Sequence, residues 1–128
     1  MAAGAQPAPD LYSSKDIELV RKLAEKTRAN RIAWKRSETG FSASVSGQLE
    51  IGFVRAWSAF GPPGWSLFTV RDKRGNEILR VDNPLGLRSL LQGHSEEMIR
   101  QSVNELYQAA ERSSAAAIDK AIQWIDRV

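Results

Sequence analysis

The sequence contains no cysteine, and this absence removes several kinds of site at once. Without thiols there is no disulfide framework, no thiolate metal site and no cysteine nucleophile. Only one histidine, His94, is present, so a zinc site would depend on carboxylates and a Ser-His-Asp triad would have a single candidate base. We therefore expect no metal, no cofactor and no catalytic residue.

Long apolar runs are missing as well. No stretch of about eighteen or more apolar residues occurs, which excludes a membrane-spanning helix. The N-terminal segment MAAGAQPAPD has neither the basic nor the apolar region of a signal peptide. Together with the lack of cysteine, this favours a cytoplasmic location. Residues 1–12, rich in Ala, Gly and Pro, are predicted to be a disordered leader.

The remaining residues have the composition of a folded domain. The chain has 128 residues, of which 42% are hydrophobic and 26% charged, so 13–128 are predicted to form one domain with its own core. Hydrophobic spacing predicts a first helix that ends near Asn30. Ser13 can cap this helix, and Asp16 stands three residues further on, as in a capping box.

Alternating apolar and polar residues predict four or five short strands over 32–81. The segments SETG, SGQ and DKRGN, which separate them, have the composition of turns. Because such turns are too short for parallel crossovers, the strands are expected to form an antiparallel meander.

Two helices are predicted at the C-terminal end. The first begins at Ser95, and the segment RSSAA then interrupts the periodicity, so that Ser113 or Ser114 can cap a final helix. The two could form a hairpin or one kinked rod. The apolar face of the final helix contains Ile118, Ala121, Ile122 and Ile125. The predicted fold class is thus α+β, with an N-terminal helix, a four- to five-stranded antiparallel meander and two C-terminal helices.

A proline-rich loop is one candidate for binding another protein. Trp57 and Trp65 flank a connection that holds Phe60, Pro62 and Pro63. The tryptophans are expected to lie in the core, whereas an exposed Phe60 beside two stiff prolines would make a contact site. Trp124 lies off the centre of the isoleucine face. It either widens the core or forms an exposed apolar spot for a partner or a second copy.

A basic stretch is the alternative candidate. Residues 20–36 contain seven basic side chains against one acidic side chain. Such a stretch either binds phosphates or is an ordinary solvated face. If it binds nucleic acid, the candidate residues are Lys22, Lys26, Arg28, Arg31, Trp34 and Lys35, with Trp34 stacking on a base. No recognition-helix, RRM or KH motif accompanies them.

The layout resembles a class of small uncharacterised bacterial proteins, in which a leading helix, an antiparallel meander and an alanine-rich helix pair follow one another. The matching residues are Arg28, Ile32 and Trp34, then Asp72, Gly75 and Asn76, and the run LYQAAERSSAAAIDKAIQWI. Arg28 stands where that class has lysine. The resemblance implies the fold and no activity.

The predicted function is that of a small non-enzymatic module that binds another protein. Its candidate contact residues are Phe60, Pro62, Pro63 and Trp124. Nucleic-acid binding through the basic stretch is the alternative. The C-terminal helices are also a candidate surface for homo-oligomerisation.

Overall fold

The computed structural model describes residues 12–56, 64–83 and 94–128. These residues form helix α1 (Ser14–Arg28), strands β1 (Lys35–Arg36), β2 (Gly40–Val45), β3 (Leu49–Ala56), β4 (Gly64–Asp72) and β5 (Glu77–Asp82), and helix α2 (His94–Asp126). The predicted α+β class and the antiparallel sheet are confirmed. The predicted leader, apart from Tyr12, lies outside the described residues.

The first helix begins and ends at the signals visible in the sequence. The Ser13 hydroxyl accepts a hydrogen bond from the Asp16 amide, and the Ser13 amide donates to the Asp16 carboxylate at 2.9 Å. This capping box provides hydrogen-bond partners for two backbone amides at the start of the helix, where no preceding turn supplies a carbonyl oxygen. At the other end, Asn30 has a φ of 59°, a left-handed conformation that terminates the helix.

The sheet is a meander in which neighbours in sequence are neighbours in space, in the order β1-β2-β3-β4-β5. All pairs are antiparallel, and Phe53 lies opposite both Phe41 and Phe68. Gly40, at the start of β2, has a φ of 157°, and a Cβ there would overlap the carbonyl oxygen of Phe53. Only glycine allows the two strands to approach this closely.

One face of the sheet is covered by both helices, and the core lies between these layers. The buried side chains of the strands include Phe41, Ala43, Ile51, Phe53, Phe68, Val70, Leu79 and Val81. The other face is more polar, as in the row Ser42, Gly52, Thr69 and Arg80. This alternation is typical of an antiparallel sheet with one solvated face.

The first helix crosses the strands from β5 towards β1. At its N-terminal end the Tyr12 hydroxyl donates to the carbonyl oxygen of Arg80 in β5, at 2.8 Å. At its C-terminal end the indole N–H of Trp34 donates to the hydroxyl of Thr27, at 3.1 Å. Both hydrogen bonds fix the helix relative to the sheet, and the second satisfies the polar atom of a buried tryptophan.

The second helix crosses the sheet in the same direction. Trp65 of β4 donates its indole N–H to the side-chain oxygen of Asn104 at 2.6 Å. One turn later, Tyr107 packs edge-on against Phe53 of β3 and Phe41 of β2, with ring centroids 5.2 Å and 5.6 Å apart. Successive turns of α2 therefore contact successive strands towards β1.

The prediction of two C-terminal helices is wrong, because α2 is one helix of 33 residues. Ser113 and Ser114 lie inside it rather than at a cap. Neither glycine nor proline interrupts this stretch, and the alanines on both sides are the strongest helix formers. Two serines cost too little helix propensity to end a helix in such surroundings.

Candidate functional site

The length of α2 exceeds the width of the sheet on which it packs. At 1.5 Å per residue the helix is about 50 Å long. Five strands at their usual spacing span only about 20 Å from the first to the last. Because α2 contacts β4 at Asn104 and β3 and β2 at Tyr107, the part of the helix after Tyr107 runs towards β1 and extends beyond the edge of the sheet.

Burial divides α2 into two halves. In the docked half, residues 96–114, the side chains of Ile99, Val103, Leu106 and Ala110 are fully buried. Ser114 is the last buried residue of the helix. In the free half, residues 115–126 together with Arg127 and Val128 after the end of the helix, every residue is exposed. The body of the protein, meaning the sheet, α1 and the docked half, therefore leaves a large part of each of these residues open to solvent.

The free half nevertheless carries large apolar side chains, which we call the apolar stripe. Its members are Ile118, Ala121, Ile122, Trp124, Ile125 and Val128. Trp124 and Ile125 are 65% and 70% exposed, and Ile118 and Ile122 are about half exposed, at 44% and 51%. Helical spacing places these residues on one side of the helix, and the polar residues Asp119, Gln123 and Asp126 on the other.

The apolar stripe continues the side of α2 that faces the body. Tyr107 and Ser114 are buried against the body, and Ala121 and Val128 follow them at intervals of seven residues. Residues seven apart lie two turns apart on nearly the same side of a helix. The helix therefore keeps one apolar side along its whole length, although the body covers only the first part.

Charges line both margins of the apolar stripe. Asp119 and Asp126 lie seven residues apart along one margin, and Lys120 and Arg127 lie seven apart along the other. All four are exposed. Their charges cancel, so the free half presents an apolar surface with no excess charge of either sign.

A concave notch lies where the free half leaves the body. It has a volume of about 390 Å³, and its lining includes Asn30, Ile32, Trp34, Ser113 and Ala117. Ala117 lies on the same side of α2 as Trp124, seven residues further on. The notch and the apolar stripe are therefore adjacent parts of one surface.

A polar cluster lies on the docked half near the same edge of the sheet. Burial of Tyr107 raises the pKa of its hydroxyl, and the negative charge of Glu111 raises it further. Arg55 and Arg36 act in the opposite direction. The guanidinium of Arg55 stands 5.8 Å from the centre of the Phe41 ring, and its Nε atom has no hydrogen-bond partner among the described residues.

The predicted nucleic-acid contacts lie at several places on the body. Lys22 and Lys26 follow each other along the outer side of α1, whereas Arg28 faces α2, where its Nη2 atom is 3.8 Å from Glu105. Lys35 lies opposite Ser42, on the sheet face away from the helices, and Arg31 is exposed after α1. The structure does not place these cations on one face.

Trp34 does not present a ring for stacking on a base. Its side chain is only 7% exposed, and the ring lies against Phe53 with centroids 5.6 Å apart. The core therefore already occupies the surface that a base would use. Nucleic-acid binding by the other basic residues stays a prediction.

The protein-binding candidates have two different outcomes. Phe60, Pro62 and Pro63 lie outside the described residues, as does Trp57. Trp124 is exposed on the free half, and Trp65 is buried at 2% exposure. The side chain of His94, the single candidate base, is also outside the described part of the structure.

Sequence reasoning placed the three isoleucines of the stripe on one apolar face and left open whether Trp124 beside them lies in the core or is exposed. Their exposure could have been found by comparing the length of the last helical pattern with the width of a five-stranded sheet. Sequence reasoning also missed Arg55. This residue follows a segment with the alternation of a strand, and nothing in the sequence around it indicates a polar cluster.

Comparison with known proteins gives no match: no protein-family model, no curated protein and no solved structure is similar to this chain. Over 12–56, 64–83 and 94–128, no three side chains of His, Asp or Glu come together as a metal site would require. None of the described helices is both long and apolar enough to cross a membrane.

Proposed function

We propose that the protein is a non-enzymatic interaction module that binds another protein through the apolar stripe on the free half of α2. The observation that carries this proposal is that residues 115–128 are all exposed and include four large apolar side chains between Ile118 and Ile125, which are 44–70% exposed. Water around such side chains is released when a partner covers them, which favours binding.

The size of the stripe supports this proposal. Single exposed apolar residues are normal on a protein surface, but a contiguous patch of several hundred Å² usually marks a contact site. Here the isoleucines at 118, 122 and 125 follow one another at spacings of four and three, and Trp124 lies three residues after Ala121 on the same side of the helix. Spacing of this kind is typical of helices that place an apolar face in a partner's groove or against another helix.

Trp124 and Ile125 are the expected centre of the contact. Tryptophan is enriched among the residues that dominate binding energy, because it buries a large rigid surface at little cost in side-chain entropy. The charged margins then serve as a polar rim around this centre.

The experiment is an affinity purification from the native cell, with and without nuclease, read by mass spectrometry. Three baits are compared: the natural chain, Ile125→Glu and Gln123→Glu. The two variants add the same charge two residues apart, but Gln123 lies on the side of the helix opposite the stripe. Both side chains are exposed, so neither substitution removes a core contact.

The proposal predicts a stoichiometric protein partner that survives nuclease, is lost with Ile125→Glu and is retained with Gln123→Glu. Equal capture by all three baits would contradict it. Partners that disappear with nuclease would favour the alternative, nucleic-acid binding through Lys22, Lys26 and their basic neighbours.

A further inference from the structure

We infer that the partner of the apolar stripe is a second copy of this chain, and that the two free halves pack against each other in antiparallel orientation. This inference rests on the proposed function, since it names the occupant of the same surface. Three features of α2 carry it: the side on which the stripe lies, the order of small and large residues along it, and its area.

The position of the body sets the orientation. The stripe lies on the side of α2 that, in the docked half, faces the sheet, because Tyr107, Ser114, Ala121 and Val128 succeed one another at seven-residue intervals. A parallel partner packed on this side would bring its docked half into the space that the sheet of this chain occupies. An antiparallel partner places the two bodies at opposite ends of the pair.

The order of side-chain sizes fits an antiparallel pair. Along one edge of the stripe, small residues come first, Ala117 and Ala121, and large ones follow, Trp124 and Val128, whereas the three isoleucines lie along the other edge. When two such helices run in opposite directions, the large residues of each lie against the small residues of the other. Side chains that alternate in size across an interface fill it without voids, as in protein cores.

The exposed area is close to what a dimer needs. With ordinary residue areas, the five large side chains of the stripe expose on the order of 600 Å² in each chain. Two copies would then bury about 1,200 Å² in total, the lower end of specific interfaces. We therefore expect a dimer that dissociates on dilution rather than a permanent one.

The charged margins do not decide the orientation. In an antiparallel pair, Asp119 and Asp126 lie on the same side as the corresponding acids of the other copy, and Lys120 and Arg127 lie on the side of its bases. These charges stay exposed to solvent at the rim of the contact, where salt weakens the interaction between them and it contributes little to binding. Added salt is accordingly expected to leave the dimer unchanged or to tighten it slightly.

The test measures the mass of the full chain by sedimentation over a wide range of concentration. The natural chain and Gln123→Glu should rise from 14.2 kDa towards twice that mass as concentration increases. Ile125→Glu should dissociate at least tenfold more readily, because each copy would bury a charge in the contact. Circular dichroism of each variant confirms that the helix content is unchanged.

The orientation is tested with spin labels, which the absence of native cysteine makes straightforward. Single cysteines replace Ala115, at the start of the free half, and Asp126, near its end on the same side of the helix. In a mixture of the two labelled chains, an antiparallel pair predicts a short distance between a label at 115 in one copy and a label at 126 in the other, and a longer one between two labels at 115. A short distance between two labels at 115 and a longer one between 115 and 126 would show a parallel pair and overturn the inference.

The remaining outcomes separate this inference from the proposed function. If the natural chain stays a monomer at every concentration while Ile125→Glu loses a captured protein, the second copy is the wrong partner and the proposed function stands. If Ile125→Glu and Gln123→Glu behave alike in both mass and capture, both proposals are wrong.

Discussion

The docked and free halves of α2 have the same apolar periodicity and opposite surroundings. Ile99, Val103 and Leu106 repeat at helical spacing and are completely buried. Ile118, Ile122 and Ile125 repeat in the same way and are 44%, 51% and 70% exposed. Periodicity therefore identifies a face that needs a cover, but it does not say whether the cover comes from the same chain.

The difference arises from geometry rather than from composition. The body offers cover only as far as the edge of the sheet at β1, and α2 continues beyond it. A helix that served the body alone could end near Ser114, and the residues after it could be polar at no cost to the core. The isoleucines and the tryptophan of the free half are thus the part of α2 that residues 12–56, 64–83 and 94–114 leave largely uncovered.

The sharpest way to test the difference between the halves is to truncate one large residue in each. Leu106→Ala should lower the free energy of unfolding by about 2–5 kcal/mol, because it leaves a cavity in the core. Ile122→Ala should change it by less than about 0.5 kcal/mol, because the side chain is half exposed. Urea unfolding at a concentration that keeps copies apart measures both; similar losses would mean that the free half packs on the body.

A smaller difference in stability is expected when a polar residue is replaced in each of the two halves. Asn104→Ala removes the acceptor of the buried indole N–H of Trp65 and should destabilise the protein by about 1–2 kcal/mol. The matched change in the free half, Gln123→Ala, should be almost neutral. Thermal unfolding with tryptophan fluorescence follows both, and an unchanged midpoint for Asn104→Ala would contradict the assigned role of this hydrogen bond.

The smallest expected effect is a dependence of the stability on pH. It comes from Tyr107 in the docked half and from Tyr12, which precedes α1. Burial raises the pKa of both tyrosines, Tyr107 and Tyr12, above the ordinary value of 10.0. Because the folded state favours the neutral phenols, this part of the stability is complete below pH 10 and is lost as the pH rises through the raised values. Absorbance titration of phenolate formation should show midpoints above 10 in the folded chain that fall on unfolding.

Tyrosine titration with one common midpoint in folded and unfolded chains would contradict this account. The variant Tyr107→Phe supplies the control, because it removes one of the two raised transitions and leaves that of Tyr12. The negative charge of Glu111 adds to the effect of burial in raising the pKa of Tyr107, so Glu111→Gln should lower its midpoint.

Much of the fold was predictable from local patterns. Ser13 and Asp16 indicated the start of α1, and alternation over 41–45 and 49–54 indicated β2 and β3. The alternation of Ile32 and Trp34 also suggested a strand, but β1 contains only Lys35 and Arg36. Ile32 and Trp34 are buried in the core but do not belong to a strand. Periodicity alone does not distinguish a buried residue next to a strand from one within it.

The candidate site was only partly predictable. The sequence predicted that Trp124 lies either in the core or on the surface. Local patterns could not decide between the two, because the answer depends on how far α2 extends beyond the body. The serines at 113 and 114 suggested a break between helices, and a break would have let the last segment fold back onto the core. Since α2 continues straight through them, the apolar stripe stays exposed.

The central claim is that one helix has a half that the body stabilises and a half that a second copy of the chain stabilises. Amide hydrogen exchange along α2, measured on the full chain from low to high concentration, tests it most directly. The account predicts strong protection of the amides between Ile99 and Ser114 at every concentration, and protection of those from 115 to 126 that appears only as copies associate. Equal protection of both halves at the lowest concentration, or an unprotected free half at the highest, would contradict it.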